Sequence, residues 1–286
     1  MKLATLSLAL LSLAATSLGQ EATPSTAADE RQEQLKFFKA QVADLGLFRG
    51  MDAKEPQPLT PDPVLRYSNS EREIGSLDGA TFLWLQGTRP IAAVSYSIRR
   101  LNNDGYRECT SFSPTPLVCR RGELSVWSPK TGGLLAQKLA VAPAPAAGKV
   151  QRLTQMRELA RRFTADCFHP RTEAATELRL LTQPLYRFAD DQAGVQDGGL
   201  FAFVVSNDPE LFLLLEAIRG AGAGEAHWQY SLARMSSLKL AARLDEKEIW
   251  TVPNYWQDPA EDRKTGPYAE AKSGTFTPAS AAPAQP

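Results

Sequence analysis

The residue types that most often do chemistry are scarce in this sequence. Histidine, the commonest general base, occurs only as His169 and His227. A serine hydrolase needs a nucleophilic serine, a histidine base and an acid that orients the base, and no Gly-x-Ser-x-Gly stretch is present. His169 lies at the end of a predicted helix and His227 at the start of a predicted strand, where ordinary structural roles suffice. We therefore predict no catalytic residue.

One glycine-rich stretch, GAGAGE from Gly220 to Glu225, has the composition of a phosphate-binding loop. A P-loop also carries a lysine and a serine or threonine and opens a helix, so that backbone N–H groups and the lysine hold the phosphates. This stretch lacks both side chains and joins two predicted strands. We predict a flexible hairpin loop here and expect no cofactor.

The three cysteines, Cys109, Cys119 and Cys167, are an odd number, so at least one thiol has no partner within the chain. Cys109 and Cys119 flank a Ser-Pro-Thr-Pro turn and can therefore face each other across a hairpin. The sequence is compatible with a disulfide between them and with free thiols. No CxxC or HxxxH spacing is present, so we predict no metal site.

Two halves of the chain match in the type and order of their residues. PVLRYS from Pro63 matches PLYRFA from Pro184, and DGATFLWLQGTRP from Asp78 matches DGGLFAFVVSNDP from Asp197. An apolar helix face matches as well: Leu35, Phe38, Val42 and Leu45 against Leu153, Met156, Ala160 and Phe163. A near-constant offset of about 120 residues predicts an internal duplication.

Four residues recur at the same places of the two copies: Asp78 with Asp197, and Arg66 with Arg187. Each aspartate precedes a glycine, which is typical of a tight turn in which Asp bonds its own backbone and Gly accepts a positive φ. Each arginine precedes an aromatic residue and is expected to pair with an acid on a neighbouring strand. We interpret all four as turn or structural residues.

Tryptophans can line a sugar-binding groove, and this chain has five of them. Four lie within apolar strand patterns and are predicted to be core residues: Trp84, Trp127, Trp228 and Trp250. Trp256, beside the C-terminal tail, is predicted to be exposed.

The periodicity of apolar residues predicts an α+β fold made of two tandem, diverged copies of one unit. Each unit would be a helix, over about 29–48 or 150–167, followed by a four- to five-stranded antiparallel meander. Both faces of the strand that begins at Asp78 are largely apolar. We therefore expect the helix to cover one face and the other copy, or a partner chain, to cover the second. This element order resembles cystatin-like and NTF2-like folds.

The N-terminus carries the features of a signal peptide: Lys2, the apolar stretch Leu3–Ala15, and small residues at Ser17 and Gly19. We predict export to the periplasm or the extracellular space, with no transmembrane segment after signal removal. The predicted segments are a signal peptide (1–19), a flexible leader (20–30), a first repeat unit (31–130), a Gly/Ala/Pro-rich linker (131–149), a second repeat unit (150–256) and a disordered tail (257–286).

Charge argues against one class of partner. The chain has 32 basic and 32 acidic residues and is formally neutral. A protein that binds nucleic acid usually concentrates positive charge, because phosphate contacts dominate the affinity. We expect no nucleic-acid partner, while a homo-oligomer is compatible with the sequence.

Five segments carry a resemblance to a known group of sequences: DGATFLWLQGTRP, QMRELARRF, LRLLTQPLYRF, DGGLFAFVVSNDPELFLLLEA and YSLARMSS. The chain resembles a family of predicted secreted proteins from planctomycete bacteria, over about residues 63–252. That family has no assigned activity. The resemblance therefore implies an exported protein and carries over no site residue.

These observations favour an exported, non-catalytic protein with a binding or structural role in the periplasm or envelope. A pocket inside a curved sheet, or the groove between the two copies, would be the place of binding. The alternative is a hydrolase or isomerase on an NTF2-like α+β scaffold. A cavity lined by two or more convergent ionisable groups would favour the enzyme. A third interpretation, assembly with a partner, is favoured by the odd cysteine.

Overall fold

The computed structural model describes residues 27–70, 77–130, 132–220, 225–257 and 264–278. The chain is 50% strand and 13% helix, and its strands form large curled antiparallel sheets, one of them a half-barrel. The predicted α+β class, with its helix-and-short-meander units and its cystatin-like or NTF2-like comparison, is therefore wrong. The described ranges hold two α-helices, α1 (Ala27–Ala43) and α2 (Lys149–Ala160).

The error has a physical cause at the helix ends. The pattern predicted helix through Cys167, but α2 ends at Ala160 and the chain continues as a strand over Phe163–Phe168. Phe163 follows Ala160 by three residues, a spacing that suits a helix face as well as the start of a buried strand. In the same way, the first predicted helix ran into the strand Gly46–Arg49.

The strands follow in chain order. The first half and the linker contain β1 (Gly46–Arg49), β2 (Leu65–Asn69), β3 (Leu77–Gln86), β4 (Arg89–Arg99), β5 (Asp104–Ser111), β6 (Leu117–Arg121), β7 (Leu124–Trp127) and β8 (Gln137–Lys138). The rest of the chain contains β9 (Phe163–Phe168), β10 (Ala175–Leu180), β11 (Tyr186–Asp190), β12 (Val195–Val205), β13 (Asp208–Ile218), β14 (His227–Arg234), β15 (Lys239–Leu244), β16 (Lys247–Val252) and β17 (Tyr268–Thr275).

These strands make three sheets, and the antiparallel pairing that was predicted is confirmed. The orders are β1-β6-β7, then β17-β5-β4-β3-β2, and then β16-β15-β9-β10-β12-β13-β14-β8 with β11 beside β12. In the second half β10 joins two groups of strands, because it pairs with β9 and also with β12. This junction turns the second half into one curled sheet of nine strands.

The two halves pair their strands in the same order. In the first half β1 pairs with β6 and β6 with β7, while β2, β3, β4 and β5 are neighbours in that order. In the second half β9 pairs with β15 and β15 with β16, while β11, β12, β13 and β14 are neighbours.

Each helix covers one face of its own half. Phe38 and Val42 of α1 pack in a core with Phe82, Trp84 and Val94 of strands β3 and β4. Met156 and Leu159 of α2 pack in a second core whose strand members include Phe201, Phe203 and Leu213. The sheet face under each helix is thus covered by apolar side chains.

The opposite faces of the two sheets pack against each other, and we call this contact the seam. Its apolar part joins Leu83, Ala93 and Phe112 of the first half to residues such as Leu200 and Phe212 of the second. The rings of Phe112 and Phe212 meet edge to face at 5.6 Å. A sheet with two apolar faces needs a cover on each face. The helix covers one face, and the other half of the same chain covers the second.

The chain after Gln257, predicted to be a disordered tail, returns to the first half. Its strand β17 pairs with β5, and Tyr268 is fully buried. The indole N–H of Trp127 donates to the Gly266 carbonyl at 3.0 Å. At the corresponding edge of the second half, the short linker strand β8 pairs with β14.

No helix among the described residues is both long enough and apolar enough to span a bilayer.

Candidate functional site

The recurring acid–arginine pair of the second half forms a buried ionic cluster. Asp197 Oδ1 accepts from Arg187 Nε at 2.8 Å, and Asp197 Oδ2 accepts from Arg187 Nη2 at 2.6 Å and from Arg152 Nε at 2.9 Å. The hydrogen bonds to Asp197 raise the pKa of Arg187. Arg152 also donates to the Ala146 and Ala147 carbonyls. The Asp197 carboxylate on β12 therefore binds Arg152 of α2 and Arg187 of β11 together, and Arg152 in turn holds the linker.

The first half uses the corresponding residues differently. Asp78 pairs with Arg100 at 2.5 Å, whereas Arg66 lies over the Phe38 ring with its Cζ 5.4 Å from the centroid. Burial, which disfavours the charged form, lowers the pKa of Arg66. Both aspartates lie inside strands, β3 and β12, and not in turns.

The glycines that follow these aspartates make room for aromatic rings. A Cβ on Gly79 would lie 2.2 Å from Tyr67 Cζ, and a Cβ on Gly198 would lie 2.5 Å from Phe188 Cζ. Tyr67 and Phe188 are the aromatics that follow Arg66 and Arg187 in the sequence. The recurring Arg-aromatic and Asp-Gly pairs thus have packing roles within each sheet.

All three cysteines are free and buried. Burial raises the pKa of Cys109 to about 11, and it raises the pKa of Cys119 further still. The disulfide between Cys109 and Cys119 stays a prediction. Within the described residues no group of three or more His, Cys, Asp or Glu side chains is placed to hold a metal ion.

The other candidates from the sequence lie apart from one another. His169 Nδ1 accepts from the Thr172 N–H at 3.1 Å in a turn, and His227 lies at the start of β14. Trp84, Trp127 and Trp228 are core residues, and Trp256 is 48% exposed. Trp250, also predicted to be core, is half-buried and packs against the second core from its edge. Most of the GAGAGE stretch lies outside the described residues.

Ionisable side chains do converge at the polar end of the seam, in a small cavity that we call the seam cleft. Its lining includes Tyr67, Ser97, Arg99, Glu108, Asp208 and Glu270. They come from β2, β4, β5 and β17 of the five-stranded sheet and from the start of β13 in the second half. The cavity volume is about 20 Å³, which is room for one water-sized group.

Several of these groups have partners inside the protein. Arg99 Nη1 donates to the Tyr106 hydroxyl at 2.8 Å and the guanidinium lies 3.7 Å from that ring's centroid. The Tyr268 hydroxyl donates to Glu108 Oε1 at 2.5 Å. Burial raises the pKa of Tyr268 well above its ordinary value, and the negative charge of Glu108 raises it further. The phenol therefore keeps its proton and remains a hydrogen-bond donor. Asn69 Nδ2 donates to Asp208 Oδ2 at 3.2 Å.

Two other polar groups also line the seam cleft. Ser97 is 6% exposed. Glu270 is half-buried, and its charge acts on the Tyr268 phenol. Glu270 lies directly opposite Glu108 across the β17–β5 pair.

A larger groove of about 390 Å³ lies between α2 and the linker. Two of its charged groups, Arg162 and Asp245, form an ion pair at 2.5 Å. Gln155 accepts from the Ala146 N–H and donates to the Ala144 carbonyl. This groove is where the linker is held against α2.

No family model, curated protein or solved structure matches this chain. The resemblance to secreted planctomycete proteins therefore stays a prediction.

The sequence interpretation missed the seam cleft for an identifiable reason. Glu270 and Tyr268 lie in the segment predicted to be a disordered tail. One signal was available, because apolar and charged residues alternate over Ala269–Lys272, directly after the aromatic Tyr268, as they do in an edge strand.

Proposed function

We propose that this protein is an exported, non-catalytic binding protein and that the seam cleft is its binding place. The observation that carries the proposal is the convergence of polar groups from three separate parts of the chain. Strands β2–β5, the start of β13 and the C-terminal β17 all contribute to the cleft. Ligand sites are commonly found where structural units meet.

A further feature supports the proposal. The lining of the cleft combines hydroxyl, carboxylate and guanidinium groups, among them those of Ser97, Glu270 and Arg99. A few polar groups that converge on one cavity can fix the orientation of a ligand.

An enzyme, such as a hydrolase or isomerase, is the second candidate. The observation in its favour is the convergence of Arg99, Glu108, Asp208 and Glu270 on one cavity. The volume of the cavity weighs against it, because about 20 Å³ takes a single small group and leaves no room for a substrate and a reacting water.

We also propose that the chain arose by duplication of one unit and that it is exported. The shared pairing order of the two halves supports the duplication, and the features of residues 1–19 support export.

The binding proposal predicts that filling the seam cleft abolishes binding without harming the fold. We expect Ser97→Val to fill the cavity and to change the free energy of unfolding by less than about 1.5 kcal/mol, because the larger apolar side chain extends into space that already exists. The measurement is an NMR screen of the mature chain against small amines, carboxylates and sugars, followed through the backbone amides of Ser97 and Glu270.

A hit should lose its effect in Ser97→Val and keep it in Ser237→Val, which lies outside the cleft. If no compound at millimolar concentration shifts the cleft amides, or if Ser97→Val binds as the parent does, the proposed binding place is wrong. Turnover of any compound in the screen would favour the enzyme.

A further inference from the structure

We infer that the first half of the chain holds a second binding site, which takes a doubly charged oxyanion such as a phosphate or sulfate group. The site is formed by Arg107 of β5 and Arg121 of β6, which meet at the Tyr96 hydroxyl. We call these two residues the arginine pair. The site is separate from the seam cleft, since none of the three residues lines that cleft.

Strand geometry places the arginine pair. Tyr106 and Glu108 line the seam cleft, so Arg107, the residue between them, points to the opposite face of the sheet. Arg107 lies directly opposite Tyr96 in the register of β4 and β5. Arg121 reaches the same point from the three-stranded sheet, and its Nη2 donates to the Tyr96 hydroxyl at 3.1 Å. Two guanidiniums from different sheets are thus held around one phenol.

The two positive charges of the arginine pair have no acidic partner. Arg107 is only 8% exposed, yet it forms no ion pair within the described ranges. Arg121 likewise pairs with no carboxylate in the part of the chain that the structure describes. The similarly buried Arg152 differs, because it pairs with Asp197 at 2.9 Å. A buried charge without a counter-charge is unfavourable, and a bound anion would supply that counter-charge.

The neighbouring groups do not replace the missing anion. Burial raises the pKa of Cys109 to about 11, and burial also raises the pKa of Tyr96. The thiol and the phenol therefore keep their protons at neutral pH. The C-terminal end of α1 faces the site, since the Tyr96 hydroxyl donates to the Gln41 carbonyl at 3.3 Å. A helix C-terminus carries roughly half a negative charge, which offsets about a quarter of the two positive charges.

One donor of the arginine pair is also unsatisfied. The Nε atom of Arg121 is buried and has no hydrogen-bond partner. A guanidinium presents its N–H groups as a fork that matches two oxygens of a phosphate, sulfate or carboxylate. The Arg121 side chain is only partly buried, so an anion can approach it from solvent. Two guanidiniums attract a divalent oxyanion more strongly than a carboxylate or chloride, because those carry a single charge.

The experiment titrates the full mature chain with sodium sulfate at pH 7, in a buffer without phosphate, and follows the Nε–H signals of Arg107 and Arg121 by NMR. Sodium chloride and sodium acetate at matched ionic strength are the monovalent controls. We expect saturable shifts with millimolar sulfate and binding at least about tenfold weaker for both controls.

Two further titrations distinguish the sources of such a group. Inorganic phosphate is the free ion, and glycerol 3-phosphate carries the same group as an ester. We expect both to bind at the arginine pair. Tighter binding of the ester would indicate an organic phosphate as the ligand, and tighter binding of inorganic phosphate would indicate the free ion.

Variants assign the binding to the arginine pair. We expect Arg121→Gln to weaken sulfate binding by at least about tenfold, because it removes both the charge and the fork. Arg120→Gln is the matched control. It removes the same charge from the adjacent residue of β6, whose guanidinium lies over the Phe48 ring, and it should bind sulfate as the parent does. Urea titration shows whether each variant is folded. If Arg121→Gln is unfolded, Arg121→Lys replaces it; this variant keeps the charge without the fork and should bind sulfate severalfold more weakly.

Three outcomes would overturn the inference. If millimolar sulfate shifts the two arginine signals no more than chloride at the same ionic strength, the arginine pair is not a binding site. Equal losses of binding in Arg121→Gln and Arg120→Gln would indicate a general effect of surface charge. Equal affinity for acetate and sulfate would show that the ligand is not selected by a double charge. None of these outcomes bears on the seam cleft, whose test follows the amides of Ser97 and Glu270.

Discussion

At the scale of single residues, the recurring aspartates and arginines serve packing, while the polar groups of the seam cleft are other residues. Asp197 receives hydrogen bonds from two guanidiniums, and the Arg152 and Asp197 side chains are 6% and 5% exposed. Removing one partner from such a pair typically costs about 3–5 kcal/mol, because a charge is left buried and uncompensated. Recurrence within a sequence is therefore explained here by structure. The binding proposal depends instead on Ser97 and Glu270, which do not recur.

The cysteines allow a prediction at the residue scale. Because burial raises the pKa of Cys109 to about 11, the folded thiol stays protonated at pH 8 and is also shielded from reagents. We expect no reaction with a disulfide reagent in the native protein at pH 8 and three reactive thiols in urea. A single thiol in urea, rising to three after reduction, would show that two of the cysteines form a disulfide, and Cys167→Ala with no thiol in urea would assign it to Cys109 and Cys119.

The same pKa determines how stability depends on pH. The folded-state pKa lies above the ordinary thiol value of 9.0, so between about pH 9 and 11 the unfolded chain has lost protons that the folded chain retains. The free energy of unfolding therefore falls as pH rises through that range. In Cys109→Ala we expect the free energy of unfolding to fall less over the same pH range. The difference between the two proteins is the contribution of Cys109.

At the scale of elements, β17 joins the C-terminal part of the chain to the five-stranded sheet and completes the lining of the seam cleft. It pairs with β5 from Tyr268 onward, and Ala269 and Phe276 belong to the first core. Without it, β5 would be an edge strand with unpaired backbone groups, which is a liability for aggregation. The C-terminal segment is thus part of the domain core as well as part of the site.

We predict that truncation after Gln257 lowers the free energy of unfolding by at least about 3 kcal/mol, because it removes the buried Tyr268 and Phe276 side chains. Truncation after Pro278, which keeps β17, should change it by less than about 0.5 kcal/mol. Urea denaturation followed by tryptophan fluorescence measures both. Equal stability of the two truncated chains would mean that β17 does not contribute to the fold.

At the scale of the whole molecule, the seam joins the two halves through an apolar part and a polar part. The apolar part centres on Phe112 and Phe212, and the polar part contains the Arg89–Glu216 pair and the Asn69–Asp208 hydrogen bond. Because each half buries one sheet face against the other, we expect both halves to unfold in one cooperative transition.

A double-mutant cycle tests this coupling directly. We expect Phe212→Ala to cost about 3–5 kcal/mol, and we expect the cycle of Phe112→Ala with Phe212→Ala to give an interaction energy of about 0.5–1.5 kcal/mol. Chemical denaturation of the four proteins provides the values. Additive losses, or two separate transitions in the parent chain, would show that the halves fold independently of the seam.

The sequence by itself determined the long apolar strands and many residues of the cores. Strands β3, β4, β12 and β13 and three of the four core tryptophans were predicted correctly, because short apolar runs bounded by turn residues specify strands that are buried on both faces. The prediction that the sheets are covered on both sides was also correct, and so was the antiparallel pairing. These features depend on local pattern, which the sequence carries directly.

Only the tertiary structure decided the fold class, the role of the C-terminus and the site. Helical and strand spacing coincide where α2 meets β9, so local pattern could not place that boundary. The pairing of β17 with β5 joins residues such as Tyr268 and Thr110 that are far apart in the chain, and local pattern does not specify such a pairing. The seam cleft exists because Ser97, Asp208 and Glu270 meet where the two sheets and the returning chain pack together, and that arrangement is a property of the assembled molecule alone.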